Sequence, residues 1–368
     1  MKAILGITKS KEFSDFLREQ IKLGVYKSGD KIPSVRAFAE KYALNKTTVN
    51  VAIANLAAAG FLVSQTGKGT FVVKPRKQKV TNIIGYIFDP GISREYPSIA
   101  FHIKHLAKKI AASHYSLVAD EYPAAGGMCD NPDFQEKIRN HFFSGLIAYT
   151  PVSLEDIVFL KKHHVPLVLV GEESNDDHTA SVCADIFEAG MLLTDHLVKL
   201  GHKKIALLTG PAGNKAGELL ELGYRAVMAK HDLTYPAEYV MAGPWGDESG
   251  GILAGQIVGL KEKPTAIIAA EEIMALGVMK RLLALGHRIP EDFAVVGLDD
   301  RLPVSAYPVP LTVSDIDEQT QILKAADLLA DLMRKDSSDI KDIKIKLKPK
   351  LIVRQSCGGS AGPQKPGQ

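Results

Sequence analysis

The chain has three cysteines and one tryptophan among 368 residues, and no apolar run approaching the ~20 residues that a helical membrane span requires. Cys129, Cys183 and Cys357 lie far apart and without C-x-x-C spacing, which argues against a zinc site or a disulfide framework and for a reduced, cytoplasmic setting with no membrane partner. The apolar stretch after Met1 is too short for a signal peptide and runs straight into helical periodicity. No Ser-His-Asp ordering, phosphate loop or metal cluster stands out, so neither catalytic residues nor a cofactor nor a metal is expected. The eleven histidines are scattered. His102 and His105, at i and i+3, read as a solvated helix face rather than metal ligands.

What the chain does have is charge sorted by position. Residues 1–80 carry 15 Lys or Arg against 5 Asp or Glu, whereas the remainder carries 30 against 37. A basic head on a mildly acidic body is the footprint of a domain that neutralises phosphates joined to one that does not. A solvated basic face without a partner gives the same count, so the pattern of residues has to decide. At 46% hydrophobic residues the chain is long enough for two or three cores.

In the head, Phe13, Phe16, Leu17 and Ile21 follow helical spacing and Gly24 ends that helix. Ser34 is a candidate cap for a second helix, Val35–Tyr42, and Asn45 for a third, Lys46–Ala59. Phe61–Ser64 and Thr70–Val73, joined by Gly67-Lys68-Gly69, read as a hairpin. This is a winged helix-turn-helix over residues 1–75, followed by a polar, basic linker at 76–81. From 82 to 357 short apolar strands alternate with helices, the texture of parallel sheets covered on both faces. About 280 residues of it exceed one ordinary sheet, so the expected fold class is α/β, with two lobes of doubly wound parallel sheet and a ligand cleft at the strand ends. No internal sequence repeat is visible. Residues 358–368, rich in Gly, Pro, Ser and Gln, read as a disordered tail.

Residues of about 10–75 resemble the GntR-family DNA-binding domain. The motifs that carry this are Ile32-Pro-Ser-Val-Arg36-Ala-Phe-Ala39, Asn45-Lys-Thr-Thr-Val-Asn-Val-Ala52 and Gly67-Lys-Gly-Thr-Phe-Val72. Residues of about 82–356 resemble the effector domain of LacI-family repressors, itself similar to periplasmic sugar-binding proteins. There the carriers are His196–Gly210, Ile289–Asp300, Val309–Val313 and Leu351–Ser356. The combination resembles the arabinose-repressor type of GntR regulator. A homodimer on a pseudo-palindromic operator, released or tightened by a small ligand such as a sugar, is what that resemblance implies. A solute-binding protein for transport shares the two lobes, but it would be exported without a DNA-binding head.

For the DNA site, Arg36 carries the fork that can donate twice to guanine, with an ion pair to Glu40 one turn on as the plain alternative. Lys46, Thr47, Thr48 and Asn50 open the recognition helix, Ser34 and Asn45 cap, and Gln65, Thr66, Gly67, Lys68 and Gly69 form the wing tip. Lys46 and Asn50 stand where the family usually has arginines. For the ligand site, the resemblance and the strand-end loops imply Asp89, Tyr96, Ser98, Asp185, Trp245, Glu248, Glu271, Glu272 and Asp299. Asp185 and Asp299 read equally as cap or loop residues, and Trp245 as core or rim. Leu220 stands at the family's arginine, and Glu271-Glu272 at its Asn-Asp pair. Fewer donors and more carboxylates point to a neutral or even basic ligand.

Overall fold

The computed structural model describes residues 2–58, 61–65, 67–73, 81–89, 97–122, 127–334 and 343–359. Two compact units divide the chain at Thr81 and Asn82. Of the linker, only Thr81 is described; of the tail, only Gly358 and Gly359 are.

The first unit holds helices α1 (Lys2–Lys22), α2 (Val35–Lys41) and α3 (Lys46–Ala58) and a hairpin of β1 (Leu62–Gln65) and β2 (Gly69–Val72). Helix α1 begins at Lys2, well before Phe13, the first residue of the helical spacing. Phe13, Leu17, Phe38, Val49, Leu56, Leu62 and Val72 form one core beneath all of these elements. The caps are as the sequence suggests: Ser34 Oγ accepts from Ala37 N at 3.2 Å and Asn45 Oδ1 from Thr48 N at 2.6 Å, each relieving a helix-end donor that has no partner within its helix. The hairpin pairs Leu62 with Val72 and Gln65 with Gly69. Gly67 and Gly69 have φ of +74° and +112°, so the tip needs residues that tolerate the left-handed region.

The second unit contains two six-stranded sheets. The first is built from β3 (Ile83–Phe88), β4 (Ser116–Glu121), β5 (Gly145–Tyr149), β6 (Leu167–Val170), β7 (Ala180–Ala184) and β13 (Lys344–Leu347). Its order is β4-β3-β5-β6-β7-β13, all parallel. The second uses β8 (Ile205–Leu208), β9 (Val240–Met241), β10 (Ala266–Ala269), β11 (Ala294–Leu298), β12 (Thr312–Asp315) and β14 (Lys350–Ile352). It runs β9-β8-β10-β11-β12-β14, with only β14 antiparallel. The two halves thus repeat one topology that no sequence repeat announces.

Helices α4 (Pro97–Ala111), α5 (Pro132–Arg139), α6 (Leu154–Lys162) and α11 (Glu318–Arg334) belong to the first lobe. Helices α7 (Ile186–Lys199), α8 (Lys215–Lys230), α9 (Asp247–Gly259) and α10 (Glu272–Ala284) belong to the second. Alternate strand residues feed opposite faces: Leu207 and Ile268 pack beneath α7 and α8, while Leu208 and Ile267 pack beneath α9 and α10. The chain passes between lobes three times, at β7 to α7, β12 to α11 and β13 to β14. In each sheet the order reverses beside its first strand, the switch point where open α/β sheets collect ligands. The carboxyl ends of β3 and β5, and of β8 and β10, therefore mark where a site belongs.

Candidate functional site

In the first unit, α3 sorts its residues by face. Thr48, Val49, Ala52, Ile53 and Leu56 are buried, whereas Lys46, Thr47, Asn50, Val51 and Ala54 are exposed. Thr48 therefore corrects the sequence reading: at 5% exposure its side chain belongs to the core and does not reach outward. Val51, 44% exposed, joins the outward face instead and was missed because an apolar residue in a helix reads as core. Arg36 is exposed and its Nε donates to Glu40 Oε1 at 3.0 Å, the plain alternative raised above. An exposed pair of this kind contributes about 0–1 kcal/mol, less than the ~1–3 kcal/mol of a bidentate contact to guanine, so it does not prevent Arg36 from exchanging partners. Gln65, Gly67 and Lys68 are exposed at the wing tip; Thr66 lies outside the described residues.

In the second unit, a buried charged cluster gathers residues from the carboxyl ends of strands in both lobes. Its centre is Arg301, three residues beyond β11, whose side chain is 9% exposed. The guanidinium meets three carboxylates: Nε with Glu272 Oε1 at 3.0 Å, Nη2 with Asp299 Oδ2 at 2.9 Å, and Nη1 with Glu318 Oε2 at 3.5 Å. Glu272 and Asp299 belong to the second lobe, at the start of α10 and the end of β11. Glu318 opens α11, which packs on the first lobe's sheet. The second oxygen of Glu272 accepts from the backbone N–H groups of Arg301 and Leu302 at 3.0 Å each and from the Tyr307 hydroxyl at 2.9 Å. Glu318 Oε1 accepts from the Tyr149 hydroxyl at 3.0 Å and lies 3.3 Å from His102 Nε2, while His102 Nδ1 meets the Tyr86 hydroxyl.

His102 is thus fully buried, which corrects the solvated-helix reading of that position. It faces the sheet because α4 turns its 99, 102 and 106 positions inward. Among the described residues no group of side chains is arranged to hold a metal.

The electrostatics follow from crowding three buried carboxylates around one cation, an arrangement in which they cannot all ionise freely. Burial pushes Asp299 up to about 8, with Arg301 opposing and Glu318 and Glu272 adding to the rise. Burial also works against ionised Glu318, but the nearby His102 and the Arg301 charge overcome it and hold that carboxyl below its ordinary value. Burial and the neighbouring carboxylates raise Tyr149 and Tyr307 well above the ordinary phenol range, so both remain neutral donors.

A pH dependence follows. Asp299 binds its proton more tightly folded than unfolded, so its contribution to stability is complete below the ordinary 3.8 and is lost as pH rises toward about 8. Glu318 acts in another window, its contribution disappearing as pH falls from 4.5 toward 2. Wild type is therefore expected to lose melting temperature between pH 4 and 8 relative to Asp299→Asn, which cannot ionise; parallel Tm profiles for the two proteins would contradict this assignment.

The other expected ligand positions divide. Glu271, 3% exposed, accepts from Gly246 N at 2.6 Å and so pins the loop that carries Trp245. The Trp245 ring lies over Gly210, where an added Cβ would sit 2.2 Å from it, and packs on both cores of the second lobe. Asp185 is committed to capping α7, its carboxylate accepting from Glu188 N at 3.0 Å. Glu248 is separated from the cluster and lines a surface depression with Ile252 and Arg281. Asp89 is half-buried at the end of β3; Tyr96 and the Ser98 side chain lie outside the described residues. Leu220 is fully buried in the core, and the guanidinium that the cleft does contain comes from Arg301. A cavity of about 220 Å³ opens beside β6, lined by Glu172, Ser174, Asn175 and Asp176 of the first lobe and Lys215 of the second. Burial raises Glu172 there, with Lys215 opposing.

Residues 9–72 match the model for bacterial regulatory proteins of the gntR family, and residues 194–357 that for a periplasmic binding protein-like domain. The chain joins a GntR helix-turn-helix domain to a periplasmic-binding-protein-like domain. The chain is 26% identical over 347 residues to the arabinose metabolism transcriptional repressor of Geobacillus stearothermophilus, covering 90% of this chain and 93% of the relative. It is 27% identical over 303 residues to the HTH-type transcriptional repressor PurR of Haemophilus influenzae strain PittEE, at 77% and 84% coverage. Its fold is that of a LacI-family regulatory protein from Chloroflexus aggregans, with TM-score 0.66, 23% identity, and 75% and 98% coverage. The transcription regulator CcpA of Lactococcus lactis shares it with TM-score 0.63, 20% identity, and 74% and 98% coverage. Both curated relatives are named as transcriptional repressors.

Proposed function

We propose that this protein is a transcriptional repressor that binds a pseudo-palindromic operator as a homodimer and is controlled by a small ligand, a sugar, bound between its two lobes. The observation that carries the reading is the outward row Lys46, Thr47, Asn50 and Val51 on α3. It has no part in the core, lies on the most basic segment of the chain, and is flanked by Arg36 and a glycine-tipped wing. Arg36 and Asn50 suit base edges, Val51 suits a thymine methyl, and Lys46 and Lys68 suit phosphates. The sugar rests on the polar cleft at the switch points, where carboxylates can accept from hydroxyls and Trp245 supplies an aromatic neighbour; the arabinose repressor among the relatives supports the same class.

The test is selection of DNA from a random pool by the full-length protein, followed by a thermal-shift screen of sugars. An inverted repeat should be enriched, and one sugar should raise Tm and alter affinity for that repeat, since a ligand bound only to the native state stabilises it by mass action. Enrichment of no sequence would refute the repressor reading; a repeat bound equally well whatever the sugar would refute the effector.

A further inference from the structure

A buried guanidinium joins the two lobes. Arg301 places its guanidinium between the lobes, touching Glu272 and Asp299 on one side and Glu318 on the other. Its own backbone N–H and that of Leu302 bond Glu272 as well, so the loop is fixed at both its main chain and its tip. We propose that Arg301 is the specificity-determining residue of the cleft: it occupies the effector position, and the site admits a small organic cation, an amino sugar or an amine, that can take over its carboxylates.

The reasoning begins with what would remain if Arg301 swung out. Glu272 and Glu318 are 1% and 7% exposed, and a buried carboxylate without a cation is strongly disfavoured. A neutral polyol supplies hydroxyl donors but no charge, so the carboxylates it meets must take up protons when Arg301 leaves. An anion adds to the repulsion. A guanidinium or ammonium group restores both charge and donors, and a guanidinium does so in the same planar fork.

Another observation points the same way. Asp299 is 9% exposed, and its Oδ1 has no hydrogen-bond partner among the described residues, although Oδ2 on the same carboxyl is engaged by Arg301. The carboxyl therefore retains a buried polar oxygen that Arg301 does not engage and that a group entering the site can. The further first-lobe groups facing it are the Tyr149 hydroxyl and His102 on Glu318, and neither supplies a competing anion.

This inference deepens the proposed function and rests on the reading of the cleft as the effector site. It is tested by chemical rescue in the full-length protein, using ethylguanidinium chloride as the probe with sodium chloride at equal ionic strength and urea as controls. Arg301→Ala should melt several degrees below wild type. Ethylguanidinium should raise its Tm saturably, with a midpoint at least tenfold lower than for any effect on wild type. Arg301→Lys, which keeps the charge and loses the fork, guards against a variant that does not fold and should show the same saturable rise at smaller amplitude. Absence of saturable rescue in both variants, or equal midpoints in variants and wild type, overturns the proposal. Operator affinity measured on the same samples separates the two readings: rescue of Tm with no change in DNA binding leaves cation selectivity standing and removes the effector role.

Discussion

Glu272→Ala is expected to destabilise the second unit by about 3–5 kcal/mol, because several donors lose their acceptor at about 1–3 kcal/mol for each one left buried, while Arg301 stays paired with Asp299 and Glu318. The substitution takes away more than a charge. Glu272 accepts from two backbone N–H groups, the Arg301 side chain and the Tyr307 hydroxyl, and each donor would remain buried without a partner. Glu272→Gln keeps the shape and half of the acceptors, so its loss should be smaller and should separate the charge from the hydrogen bonds. Urea unfolding monitored at the single tryptophan reports on this unit directly, because Trp245 packs on both cores of the second lobe. A loss below about 1 kcal/mol for Glu272→Ala would mean that the network is open to water and that the burial argument fails.

Arg36→Ala should weaken binding to the selected operator by about 1–3 kcal/mol, or roughly five- to 150-fold, while changing affinity for random DNA much less. Exposure, position at the start of α2 and an exchangeable Glu40 partner all allow it to reach a base edge. Salt dependence discriminates between a base contact and a phosphate contact, since removing a phosphate contact lowers the slope of log affinity against log salt by about 0.9. An unchanged slope with lost discrimination at one base pair per half-site is the expected result. Equal losses on operator and random DNA, with a shallower slope, would make Arg36 a phosphate contact.

Local rules made the head legible. Ser34 and Asn45 announce their helices as caps, and Gly67 and Gly69 announce the tip, because each answers a backbone demand that few residue types can meet. The alternation of apolar strands and helices likewise made the second unit readable as α/β. Edge strands were harder: β13 and β14, Lys-rich and short, lack the apolar run that marks their neighbours. The cleft was legible only in part. Asp299 and Glu272 came from sequence motifs, but Arg301 stands just past the matched Gly297-Leu-Asp-Asp300 and Glu318 belongs to no motif. Both are surface residue types by composition, and only the convergence of two sheets buries them. His102 was misread for the same reason, and Thr48 because a cap-adjacent hydroxyl looks like a contact when only the helix phase shows that it points inward.

The exchange of last strands between the sheets also constrains how the molecule is made. Residues 83–184 supply five neighbouring strands, but the edge at β7 is completed only by β13, at 344–347, and α11 covers the same sheet from 318 onward. During vectorial synthesis the first lobe must therefore wait, with one edge and one apolar face unpaired, until all of the second lobe but β14 has left the ribosome. An amino-terminal fragment ending near residue 200 is consequently not half of a working protein; it is a sheet missing its cover and its final strand.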